Sequence, residues 1–273
     1  MWNTTFLPSP VVDPARAEAL MTEAHEAWLG RRQEANVRRA IALWQAALEA
    51  DSSRVDAWAH LAQAQYFLAY AHLEDRAASD ALVTQTYLDA LASTERGLLV
   101  LMPDLVSYTE RGMLGSEGLM RLDRRAVPLL YWRASALGRW SHRDGVNTRV
   151  DMRGEVRASM ERIAQLDRDY NFAGADRTLA AALAILPPTL GGDIERARAH
   201  FLYAIALHPR YLGSRVRYAI EVAVRDDRRD VFIEQLEWVL AADPDALPEA
   251  GPENRIEQRR AREALDRIEY YFD

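Results

Sequence analysis

The chain has 273 residues, 49% hydrophobic and 27% charged, with 34 basic against 41 acidic side chains and a net charge of -7. That much apolar residue excludes a disordered chain and supports one large or two modest domains, while the acidic balance excludes general nucleic-acid binding. There is no cysteine, which excludes disulfides, thiolate catalysis and cysteine-based metal sites, and the longest apolar window, 179–190, is too short to span a bilayer.

Residues 1–12, MWNTTFLPSPVV, lack the basic and apolar regions of a signal peptide and read as an N-terminal extension. Asp13-Pro14 opens a first helix, with proline at the first helical position, where its missing N–H costs nothing. Helical spacing then predicts helices over 33–50, 55–72, 77–102, 104–122, 126–140, 147–166, 172–186, 193–207, 212–224, 229–241 and 254–272. β-Branched alternation is nearly absent, so about a dozen short-linked helices and no strand are expected, an all-α fold. Residues 13–273 read as a single domain.

A repeat runs through this pattern. Ala40, Trp44 and Ala47 stand at offsets 0, 4 and 7, as do Ala197, Phe201 and Ala204 and, 35 residues later, Phe232, Leu236 and Val239. A small residue lets two helices approach, a large one fills the groove a turn on, and Pro209 or Pro244 ends the helix. These offsets match the second helix of a tetratricopeptide repeat, and Trp58, Leu61 and Ala62 match its first helix. The fold expected is a helical solenoid of cryptic tetratricopeptide-like pairs, with residues 75–166 fitting the pattern poorly.

Catalytic chemistry finds no footing. The six histidines form no HExxH, and no GxGxxG, Walker lysine or GxSxG occurs. His142-Arg143-Asp144 matches the kinase catalytic loop without its companions, and the run from Asp167 lacks the glycine and glutamate of a calcium loop. No catalytic residue, metal or cofactor is expected, and the chain reads as non-enzymatic. Most aromatic residues fall at core spacing. Tyr131 and Trp132 are the best candidates for an apolar ligand cavity, because neighbours on a helix point about 100° apart and cannot share one core stripe. Tyr170, Arg177 and Tyr203 are further cavity candidates.

The stretch LPPTLGGD, 186–193, is longer than the turn a plain repeat needs. Pro187 and Pro188 stop one helix, Gly191 and Gly192 permit positive φ and close approach, and Asp193 is placed to cap the next helix. The loop is expected to form a rim or partner-facing feature.

The block 169–209, together with Pro128-Leu-Leu-Tyr-Trp132 followed by Leu137-Gly138 and the terminal Tyr270-Tyr271-Phe272, resembles the T component of tetratricopeptide-protein-associated TRAP transporters over roughly residues 33–273. The resemblance implies a periplasmic, often lipid-anchored helical protein that forms a homotrimer with a cavity or pore in each protomer. It implies a TRAP solute-binding protein, the P component, as partner, and a small hydrophobic organic acid as ligand. The chain departs from that pattern in having no lipobox cysteine or signal segment, and Ala173 where a second glycine beside Gly174 is expected. The alternative reading is a tetratricopeptide scaffold that holds a peptide or protein in its concave groove.

Overall fold

The structure is a computed structural model and describes residue 2 and residues 12–74, 78–110 and 113–272. The N-terminal extension therefore lies, Trp2 and Val12 apart, outside the described residues. The chain divides into two compact units, Met1–Leu166 and Asp167–Asp273.

In the first unit, Asp13 accepts the Arg16 amide at 3.1 Å and starts α1, Pro14–Leu29. α2 (Glu34–Ala50) packs against it, α3 (Val55–Phe67) against α2, and α4 (Asp80–Leu101) against α3. After the short α5 (Ser116–Arg121), α6 (Val127–Asp144) lies against both α3 and α4, and α7 (Val146–Asp167) closes the unit. The second unit continues the habit of packing each helix on the next. α8 (Tyr170–Ile185) packs on α9 (Ile194–Leu207), which packs on α10 (Gly213–Tyr218). α11 (Arg229–Ala241) then packs on α12 (Gly251–Asp266), with the short α13 (Ile268–Phe272) after it. The fold is all-α. Among the described residues no helix is long and apolar enough to cross a membrane.

The repeat positions are where burial is complete. Ala40, Trp44, Ala47, Ala197, Phe201, Ala204, Phe232, Leu236 and Val239 are each 0% exposed. Alanine at the first position of the first two sets allows backbone approach, Phe232 fills that position in the third, and the large residues interlock across the groove.

Four expected helices need correction. The helix expected over 104–122 is a 3-10 turn, Pro103–Tyr108, then a minimal hairpin of β1 (Thr109–Glu110) and β2 (Met113–Leu114), then α5. Pro103 withholds a helical donor, and the Gly115 amide closes the hairpin on the Tyr108 carbonyl at 2.9 Å instead of bonding a helix. The helix over 55–72 turns π at Leu68–Leu73, and that over 212–224 turns π at Ala219–Ala223. Each wider turn rotates the apolar stripe, so that Leu68, Ala69, Ala71 and Leu73 are all buried. The helix expected over 254–272 starts three residues earlier, at Gly251, and breaks at Arg267 before α13.

Candidate functional site

α6 is buried on nearly every side, from Val127 to Leu137. Tyr131 and Trp132 are both enclosed, at 6% and 8% exposure, with ring centres 5.0 Å apart. Trp132 lies 5.3 Å from Tyr66, which stacks at 6.0 Å on Tyr70 and meets Tyr87 edge-on at 5.5 Å. Their two directions therefore both end in packed surroundings, Trp132 in an aromatic block from α3, α4 and the π turn. The Tyr87 hydroxyl donates to Glu74 at 3.0 Å, and burial, with Tyr66 beside it, pushes its phenol well above the ordinary value.

The same helix carries a charge that pattern reading missed. Arg133 is 1% exposed and bridges two buried carboxylates, Glu155 and, at 3.2 Å, Glu95. Glu155 also accepts the Leu114 amide at 2.7 Å, tying the hairpin to the core, and the Trp2 ring sits 4.9 Å from the Arg133 guanidinium. Burial raises the Glu95 carboxyl despite the arginine beside it. A buried triad of this kind specifies an arrangement more than it stabilises one. In the sequence its three members lie on separate helices among many acidic and basic residues, with no spacing to single them out.

In the second unit, α8 opens with a left-handed turn: Asn171, Phe172 and Ala173 have φ of 49°, 58° and 57°. That turn lets the Phe172 carbonyl accept from Arg177, whose guanidinium lies 4.2 Å from the Tyr211 ring. Phe172 stacks on Tyr211 at 4.8 Å and meets His208 edge-on at 5.6 Å, and His208 contacts Asp169 at 2.6 Å. One residue before Arg177, Asp176 is 0% exposed and held by Arg168 through two bonds, 3.0 and 2.7 Å, and by His200 at 2.7 Å. Burial alone would raise the Asp176 carboxyl, but the His200 and Arg168 hydrogen bonds outweigh it and hold it below the ordinary carboxylate value. Arg168 also covers Tyr203 at 3.6 Å.

Of the cavity candidates, Tyr170, Arg177 and Tyr203 thus lie half-buried or buried in and beside this polar-aromatic cluster. Tyr131 and Trp132 belong to the core of the other unit. Asp176 and His200 were not legible as a pair, since 24 residues separate them. Among the described residues no three histidine, aspartate or glutamate side chains group to hold a metal ion.

The 187–193 loop is fixed by its own backbone. The Gly191 amide donates to Pro188 at 3.1 Å, Gly192 to Pro187 at 3.0 Å, and Asp193 to Leu183 at 3.0 Å. Gly191 has φ 89°, and a methyl group on Gly192 would lie 1.8 Å from the Leu186 carbonyl oxygen, so glycine is required there. Asp193 caps α9 by accepting the Arg196 amide at 3.0 Å. Pro187 and Pro188 face solvent beside Ile185, which is 66% exposed.

No curated protein matches the chain. The family model described as TRAP transporter T-component matches residues 58–272, which takes in α6, the polar-aromatic cluster and the loop. The chain belongs to the TRAP transporter T-component family and is thereby an accessory, extracytoplasmic component of such a transporter.

Proposed function

We propose that the protein is a non-enzymatic periplasmic subunit that docks on the solute-binding P component of its transporter and holds a small hydrophobic organic acid. The observation that carries the docking half is the 187–193 loop. It is pre-ordered by three backbone hydrogen bonds, exposes Pro187 and Pro188 next to Ile185, and lies inside the family match. A rigid apolar rim binds with little ordering cost, which is what a subunit that repeatedly engages a soluble partner needs. The ligand half rests on two sets of positions, each within its own unit: Tyr170 and Tyr203 with Arg177 in the second, and Tyr131 and Trp132, enclosed in the core, in the first, with a tetratricopeptide-like trimeric assembly as the frame. Changing the exposed pair Ile185 and Pro188 to glutamate is expected to weaken P-component binding at least about tenfold, with an unchanged melting temperature. Full affinity in that variant would place the docking surface elsewhere and remove the loop from the account.

A further inference from the structure

His142-Arg143-Asp144 has no kinase context, yet two of its residues line a pocket in the first unit. The pocket has a volume of about 340 Å³ and its wall includes Glu74, Asp80, Val83, Arg139, His142 and Arg143. That size falls in the range of roughly 300–1,000 Å³ typical of small-molecule sites. Glu74 follows directly on the π turn Leu68–Leu73, and such turns concentrate where a side chain has been re-aimed for function. Tyr70, on that turn, lies 4.9 Å from the Arg139 guanidinium and forms its apolar backing.

Arg139 and Arg143 are one helical turn apart and face the same way. Arg139 is held by a hydrogen bond with the Tyr66 side chain, and Arg143 keeps donor capacity to spare. Their approaches to Glu74, 3.8 and 3.5 Å, are long for direct hydrogen bonds, and the buried Arg143 Nε has no partner among the described residues. The close partner of Arg143 is the Asp80 carboxylate, whose side chain is 94% exposed. An ion pair that open contributes roughly 0.2–1 kcal/mol, so Asp80 is readily displaced. Asp80 also begins α4, whose first-turn amides add positive potential. Arg149 reaches over to donate to the His142 carbonyl at 3.2 Å. Burial, then Arg149, Arg139 and Arg143 in turn, hold the His142 imidazole below its ordinary value against the pull of Glu74.

We propose that this pocket binds the carboxylate of a small organic anion, gripped by Arg139 and Arg143 in place of Asp80, with the apolar body against Val83 and Ala78. A carboxylate suits it better than a phosphate because the guanidiniums already engage carboxylates and Glu74 repels a second negative charge. The pocket adjoins the aromatic block around Trp132 through Tyr70 and Tyr66. Its biological meaning rests on the ligand half of the proposed function, and its existence does not depend on docking.

The test is to titrate benzoate into the full chain without any partner protein, following the His142 ring by NMR. Benzoate is expected to shift the His142 resonance saturably and to raise its pKa, whereas neutral benzyl alcohol leaves both unmoved. Arg139→Gln and Arg143→Gln should each weaken benzoate at least about tenfold, the loss of one charge-assisted bond. Asp80→Asn, which frees Arg143, should tighten it by about threefold. If Arg143→Gln does not fold, the more exposed Arg139→Gln and Asp80→Asn carry the test. An unmoved His142 at tens of millimolar benzoate, wild-type affinity in the arginine variants, or equal binding of inorganic phosphate overturns the assignment. Because no P component is present, any of these results leaves the docking reading untouched.

Discussion

His60 stacks on Trp44 at 5.4 Å and meets His25 edge-on at 4.6 Å. Burial, followed by the nearby His25, depresses its pKa, and Asp56 and Gln63 only partly oppose this. A histidine whose folded value is depressed contributes stability that is complete above about pH 6.5 and is lost as pH falls through the folded value. The melting temperature of the first unit should therefore fall between pH 7.5 and pH 5.5, and His60→Gln should make that slope shallower. An identical slope in the variant would assign the loss to other groups. Ala173 supplies a second residue-scale test, because its φ of 57° falls where glycine is free of strain. The glycine that the family resemblance expects here is what the backbone favours. Relief of roughly 1–2 kcal/mol offsets the entropy and methyl lost on going to glycine. Chemical denaturation should show Ala173→Gly less destabilising than Ala180→Gly, at an equally buried but ordinary helical site, by about that amount. Equal losses would mean the left-handed turn is not held in solution.

Helices are legible from sequence when one stripe of one period decides them. The offsets at Trp44, Phe201 and Leu236 are of this kind, and each lands at full burial. Where two local preferences compete, the pattern misleads. Leu105, Leu119 and Leu122 fall on one side of a helical wheel, but Pro103 and the Gly115 turn divide the segment. The π turns are invisible because a single added residue per turn leaves the apolar content unchanged. The loop before α9 was legible in its glycines, because their chemistry is steric. Gly192→Ala should cost about 1–3 kcal/mol or more, since backbone and not a flexible side chain blocks the methyl. Thr189→Ala, at an exposed position of the same loop, should stay within roughly 0.5 kcal/mol. A neutral Gly192→Ala would show the loop to be soft and undercut its role as a pre-ordered rim. Trp132→Ala should cost roughly 3–5 kcal/mol in either reading of that ring. The milder Trp132→Phe separates them: a cavity role predicts weaker dodecanoate binding, and a packing role predicts none.

Across the whole molecule, composition and period were enough for an all-α chain without catalytic motifs, and one loop with two short strings was enough for the family. Charge constellations were not legible. Arg133 with Glu95 and Glu155, Asp176 with His200, and Arg139 with Glu74 join residues from different helices. In a chain with 34 arginines and 41 acids, sequence spacing cannot select such pairs. The division into Met1–Leu166 and Asp167–Asp273 also assigns the proposed duties to separate bodies, with the arginine pocket in one and the loop in the other. The most direct measurement is light scattering coupled to size exclusion on the purified chain mixed with the solute-binding protein of its own transporter. A stable complex is expected, and the loop variant at Ile185 and Pro188 should fail to form it. Two separate peaks at micromolar concentrations of both proteins would contradict it.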